Sequence, residues 1–304
     1  MTQLLNARPG ALAQGLIWGV MAIGVYITYK VLDIADLTVD GSICTGAAVC
    51  TMLLLGGQSP WLALLCAVLA GVLAGAVTDL LHVGLGIPPI LAGILTQMVL
   101  WSVNLKLLGK ANQALPARTT PVLLSQMDVG GALPVLLGFC VVLVALLVLF
   151  FGTELGCALR ATGCNPVMSR AQGVNTGLMK IIGLALSNGV VALSGALLCQ
   201  YQGYTDVNMG RGAVVIGLAA VVIGQAVLGR RGGRMAVQLG GVILGAVIYY
   251  IVYQVIIFAG FDTDLLKMFS AVVVAVFLGA PHVKAQLKAH SRSKKGDSGH
   301  AENE

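Results

Sequence analysis

This sequence predicts an all-α integral membrane protein, a polytopic helical bundle of about nine spans (eight to ten) with inverted repeats and discontinuous helices. Three observations carry that expectation. The 304-residue chain is 58% hydrophobic and only 10% charged, whereas soluble domains carry about 25% charged residues. Its apolar residues gather into nine runs, most of them near the roughly 20 residues a helix needs to cross a bilayer. A short motif also recurs once in each half of the chain. The net charge of +6 does not signal nucleic-acid binding, because much of it lies in short loops and the tail, where Lys and Arg orient a membrane chain.

Taken in order, the first run, Ala11–Thr28, lacks a basic n-region and a small-x-small cleavage site, and reads as a retained span rather than a signal peptide. Next comes Asp36-Leu-Thr-Val-Asp-Gly-Ser42, leading into the short run Ser42–Leu55. Carboxylates at or inside a membrane boundary suggest function. The simpler reading is that Asp36 and Asp40 cap the following half-helix, whose exposed amides favour negative charge, and Gly41 suits a tight turn. Trp61–Leu81 ends near Asp79 and His82, three residues apart and so on one helical face. A proton relay would need such a pair, but its place at a span end favours a solvated one.

Pro88–Leu108 begins on a proline pair, tolerated at a helix start. The runs Gly131–Phe151, Met179–Gln200, Gly212–Leu228, Met235–Phe258 and Leu265–Leu278 complete the set. Short or marginal runs (Ser42–Leu55, Gly212–Leu228, Leu265–Leu278) beside glycine-rich or acidic turns suggest broken helices that line a cavity. Gly15/Gly19, Gly71/Gly75 and Gly241/Gly245 have the small-xxx-small spacing of close helix packing. Gln97, Asn104, Asn188, Ser194 and Gln225 stand alone in apolar runs, where interhelical hydrogen bonding is the usual role. Thr38, Asp40, Gln97, Asn188 and Gln225 are the candidates for a solute pathway. The Lys-rich residues 281–304 read as a disordered tail.

The recurring motif is Asp36-Leu-Thr-Val39 and Asp206-Val-Asn-Met209: acid, aliphatic, small polar, aliphatic. Each copy follows a glycine-bearing apolar helix and precedes a short Gly/Ala-rich run. Two four-span halves, about 11–108 and 179–278, separated by the single span Gly131–Phe151, must face opposite ways. Inverted repeats with broken helices at their interface are a transporter architecture.

Between the fifth and sixth runs lies a polar, basic island of about residues 152–178. Within it, Asn165 suits an N-cap, Pro166 the first helical position, and Gly173 a left-handed stop. They specify one short helix, Pro166–Gln172. A helix of about two turns is unstable alone, so the island expects a partner that holds it, with Arg160 and Arg170 available to acidic groups or lipid phosphates.

Arg230, Arg231 and Arg234 crowd one loop, Arg160, Arg170 and Lys180 mark the island, and five basic residues lie in the tail. Placing all three on the cytoplasmic side obeys the positive-inside rule. The C-terminus is then cytoplasmic and, with nine spans, the N-terminus outside. That arrangement leaves Lys106, Lys110 and Arg118 outside, and a tenth crossing within Lys30–Leu55 would move the N-terminus inside.

Seven cysteines form no CxxC pair or Cys/His cluster that would hold a metal. There is no G-x-x-x-x-G-K-[ST] phosphate loop and no G-x-S-x-G turn. The chain reads as a transport subunit without an ATPase motif of its own.

Asp36-Leu-Thr-Val-Asp-Gly-Ser42 is similar to the turn of ribose-class sugar permeases. Arg160-Ala-Thr-Gly-Cys-Asn-Pro-Val-Met-Ser-Arg-Ala-Gln-Gly-Val174 resembles the cytoplasmic loop of the same superfamily, the branched-chain amino acid/ribose-type ABC importer permeases. Gly183-Leu-Ala-Leu-Ser-Asn-Gly-Val-Val-Ala-Leu-Ser-Gly-Ala196 looks like the helix that follows that loop. The resemblance runs from about Ala11 to Leu278. It implies a permease in the bacterial inner (plasma) membrane that binds no cofactor directly. It also implies three partners: a cytoplasmic ATP-binding subunit, an extracytoplasmic substrate-binding protein, and a second permease subunit, identical to the first. Arg160, Asn165, Pro166, Arg170 and Gly173 would then form the ATPase-coupling loop, driving alternating access. Asp40 stands where sugar permeases tend to have a small residue, which favours an amino acid over a sugar or nucleoside. Two other classes remain open: an ion-coupled secondary transporter using Asp36, Asp40 or the Asp79/His82 pair, and a structural or lipid-handling membrane protein.

Overall fold

A computed structural model of the chain describes residues 2–116, 120, 122–228, 234–258, 272 and 275. Helix α1 (Thr2–Tyr26) continues into a wide π-type turn, Ile27–Val31, and a non-helical segment, 32–38, leads to α2 (Val39–Leu55). Helix α3 (Pro60–Asp79) likewise widens at Leu80–Gly84 before α4 (Pro89–Leu108). After strand β1 (Asn112–Ala114) come α5 (Val129–Gly152), α6 (Glu154–Cys164), α7 (Pro166–Ala171) and α8 (Thr176–Gln202). Strand β2 (Tyr204–Asp206) pairs antiparallel with β1, and α9 (Ala213–Leu228) and α10 (Met235–Phe258) follow.

Among the described residues, six helices are long and apolar enough to cross a membrane, and α2 and α9 are shorter apolar helices. The expected ninth run, Leu265–Leu278, the tail 281–304, and Arg230 and Arg231 lie outside the described residues, Val272 and Ala275 excepted. No helix occupies 32–38, so α2 is the one helix that begins within Lys30–Leu55.

The helix ends follow from local chemistry. Ser59 accepts from the Leu62 amide ahead of Pro60, Asp128 from Gly131, and Asn175 from Leu178, each at an N-cap. Gly109 (φ 71°) and Gly203 (φ 77°) close α4 and α8 in the left-handed region that favours glycine.

Burial inverts the pattern of a soluble protein. The most apolar span, α5, has a mean hydropathy of 3.1 and only 22% of its window buried, whereas Pro9–Val31 at 1.6 is 78% buried. Such a surface is compatible with lipid, not water. The centre is built from α1 and α8, which pack on each other. Helix α8 also packs on α2 and α3, and α1 on α9 and α10.

Small residues set these contacts. A Cβ on Gly71 or Gly75 would strike the α8 backbone at Asn188 or Leu184, and one on Gly46 the α8 backbone at Ala192. Gly245 of α10 abuts Ala220 of α9, and Gly15 and Gly19 of α1 face Val247 and Ile243 of α10. All three expected glycine pairs therefore lie at helix contacts. Gly41 is not the turn residue expected. It is helical in α2, where a Cβ would lie 3.0 Å from Leu100 and 3.3 Å from the Gln97 backbone, so its role is to admit α4.

Candidate functional site

The two motif copies adopt the same local turn. Asp36 Oδ1 accepts from the Thr38 amide at 2.8 Å, and Asp206 Oδ1 accepts from the Asn208 amide at 2.7 Å. Each aspartate thus ties down the amide two residues on, as short acidic side chains do in turns. A short helix follows each turn, α2 after the first and α9 after the second.

Their surroundings differ. Asp36 and Asn188 are both buried, and Asn188 Nδ2 donates to Asp36 Oδ2 at 2.7 Å and to the Leu184 carbonyl at 3.0 Å. Ser42 Oγ donates to Asn188 Oδ1 at 2.6 Å. Thr38 shares a hydrogen bond with Thr78 at 2.9 Å. A closed polar network therefore joins the first turn to α8 and α3, which lowers the cost of burying these groups.

Asp40 corrects the sequence reading. It does not cap its own helix. Its Oδ2 accepts from the Gly212 amide and its Oδ1 from the Val214 amide, both at 3.0 Å, so it caps the start of α9. The N-termini of the two short helices therefore meet, with the carboxylate of one answering the unpaired amides and positive end of the other.

Beside this junction lies a cavity of about 480 Å³ walled by α2 (Asp40, Gly41, Cys44), α4 (Gln97, Trp101, Asn104) and the segment before α9 (Val207, Arg211). Asn104 is 1% exposed, and neither atom of its amide has a hydrogen-bond partner. An unpaired buried polar group costs about 1–3 kcal/mol.

A second pair departs from expectation. Asp79 is fully buried and neither carboxylate oxygen has a partner, so it is not a solvated surface acid. His82 is partly exposed; its Nδ1 meets the Ile87 carbonyl at 2.7 Å and its Nε2 meets Lys180 Nζ at 3.3 Å. The packing of α8 over the end of α3 seals Asp79, a fact invisible to span-boundary arithmetic.

The island folds largely as its punctuation dictates. Asn165 Oδ1 accepts from Val167 and Met168 amides at 3.1 and 3.0 Å, Pro166 opens α7, and Gly173 has φ 84°. Val167 and Met168 stand 74% and 63% exposed on this short helix. Arg170 Nε donates to Thr176 Oγ1 at 2.8 Å, tying α7 to the first turn of α8, and Arg160 Nη2 donates to the Phe151 carbonyl at 3.2 Å. The island also holds α6, a second helix beyond the single one expected. Thr153 caps it by accepting from the Gly156 amide, and Gly156 and Gly163 press against the Phe151 and Val31 backbones. The backbones those glycines meet become their neighbours only once the chain folds back on itself.

The chain matches the family described as branched-chain amino acid transport system / permease component over residues 9–280. It belongs to that family of ABC importer permeases. It is 38% identical over 280 residues to a tyrosine transport system permease protein of Clostridioides difficile, covering 91% of this chain and 92% of the relative. It is 33% identical over 279 residues to an uncharacterized protein of Rickettsia prowazekii, covering 91% and 98%. The autoinducer 2 import system permease protein LsrC of Escherichia coli is 29% identical over 239 residues, covering 75% of this chain and 66% of that one. No solved structure matches.

In this permease, the family accounts for partners outside the chain: an ATP-binding component and a substrate-binding component serve a multi-pass membrane subunit. Of the five pathway candidates, Asp40 and Gln97 line the cavity. Thr38 and Asn188 are buried in the network beside it, and Gln225 is exposed on α9 away from the cavity wall. Arg211 and Trp101 line the permease cavity without having been singled out. Arg211 follows the second motif copy by a few residues, and that adjacency was the one signal for it.

Proposed function

We propose that this permease subunit moves an amino acid across the bacterial inner membrane by alternating access, driven by a cytoplasmic ATP-binding subunit docked on α7. The observation that carries this reading is α7 itself, a capped two-turn helix that presents Val167 and Met168 to solvent while Arg170 anchors it to α8. Exposed apolar side chains on a fixed, basic-flanked helix suit insertion into a groove on a partner. A push on α7 passes to α8 through Arg170 and Thr176. From α8, Asn188 reaches Asp36 and Ser42 at the start of α2, and Asp40 carries the displacement to α9.

In this reading the halves 11–108 and 179–278 are inverted repeats, with nine spans, an outside N-terminus and a cytoplasmic C-terminus. The shared aspartate turns and the reciprocal packing of α1 on α9 and α10 and of α8 on α2 and α3 support it. Two identical permease subunits enclose the route, and a binding protein delivers solute from the outer side. The amino-acid assignment is supported by the 38% identity to a tyrosine permease.

Replacing both Val167 and Met168 by Asp tests the docking. The ATP-binding subunit should no longer copurify, while the permease keeps its unfolding midpoint in detergent. Undiminished recovery of the ATP-binding subunit would remove α7 from the mechanism. Uptake of L-tyrosine and L-leucine, compared with D-ribose, by the assembled importer in liposomes tests the solute class.

A further inference from the structure

The cavity beside the helix junction holds one group that this mechanical route leaves unused. Asn104 lines it, is 1% exposed, and has no partner for either amide atom. Along α4, Gln97, Trp101 and Asn104 follow at helical spacing and share one face. The facing wall carries charges of both signs, Asp40 and Arg211. Asp40 is held in place by the Gly212 and Val214 amides at the start of α9.

We infer that this cavity is a solute-contact station inside the permease, built for a small zwitterion with an apolar or aromatic side chain, and that Asn104 reads its polar head. The inference rests on the permease reading and adds a site to it. A buried amide with no partner within the protein gains its donor and acceptor bonds only when a solute offering both arrives. A solute lacking either leaves an orphan, and sites of that kind discriminate strongly. Asp40 and Arg211 supply opposite charges for an ammonium and a carboxylate, and the Trp101 indole offers a flat apolar wall. At about 480 Å³ the space admits one amino acid with water around it.

The test uses the whole importer (permease, ATP-binding subunit and binding protein) in liposomes supplied with ATP. In Asn104→Leu, uptake of L-tyrosine per ATP hydrolysed should fall at least tenfold. The unfolding midpoint should hold or rise, since leucine leaves no orphaned amide. Asn104→Gln should recover part of the uptake. Uptake per ATP within twofold of wild type in Asn104→Leu overturns the inference, as does a loss of uptake matched by a lowered midpoint. A solute-independent arm separates this from the amino-acid assignment. Asn104→Cys, combined with Cys44→Ala, is treated with a hydrophilic methanethiosulfonate at rest and during ATP turnover, and modification is read peptide by peptide. Modification at position 104 supports the station even if none of the amino acids tried is transported. No modification in either state overturns it.

Discussion

Asp40, in the first turn of α2, accepts hydrogen bonds from the amides of Gly212 and Val214 at 3.0 Å, so one short helix supplies the N-cap of the other. Residues 172 and 174 positions apart are thereby joined at the point where two helices would otherwise present unpaired donors. Asp40→Ala should lower stability by about 1–2 kcal/mol, the usual range for a lost cap. Asp40→Asn, which keeps one acceptor oxygen, should lose about half as much. Unfolding in a fixed detergent measures both, and an Asn variant as unstable as the Ala variant would count against the cap.

Asn188 satisfies three groups at once: Asp36, Ser42 and the Leu184 carbonyl. Asn188→Leu leaves Asp36 Oδ2 without its partner in a buried setting, which should cost about 1–3 kcal/mol, as stranding a buried polar group does. Double-mutant comparison with Asp36→Asn should show strong non-additivity. Additive losses would mean the two residues do not act as one network.

The contact of α2 with α8 depends on the absence of a side chain. A Cβ at Gly46 meets the Ala192 backbone, whereas one at Gly138 of α5 meets nothing within 4 Å. Gly46→Ala should destabilise by about 1–3 kcal/mol through overpacking. Gly138→Ala should be neutral or stabilise by up to about 1 kcal/mol through helix propensity. Thermal unfolding of the two variants side by side checks the contrast.

Asn165→Ala removes the side chain that accepts from Val167 and Met168. The local loss of about 1 kcal/mol falls on a helix too short to stand alone. Hydrogen exchange at α7 amides should accelerate by roughly fivefold, following that free energy, with α8 amides unchanged. Uniform acceleration across both helices would show that α7 is not a separate unit.

How much of this was legible beforehand varies with the kind of interaction. The ends of α4 and α10 and the Asn165–Gly173 punctuation could be read because caps, left-handed glycines and apolar runs act over a few residues. Helix α6 was missed, since the contacts that hold it, Gly156 and Gly163 against the Phe151 and Val31 backbones, are made only in the folded chain. Asp79 was misplaced for a similar reason: a residue near the end of an apolar run looks solvated unless a neighbouring helix covers it.

Hydrophobicity and short-range hydrogen bonding, both properties of contiguous residues, were enough for the chain alone to determine a membrane bundle, its main spans and a capped helix within the polar island. The tertiary structure decided which helix Asp40 caps, what Asn188 holds, and that Asn104 borders a cavity. Those outcomes depend on which helices become neighbours. Among near-uniform apolar helices, that choice is made by where glycines let backbones meet and by which buried polar groups find partners from across the chain.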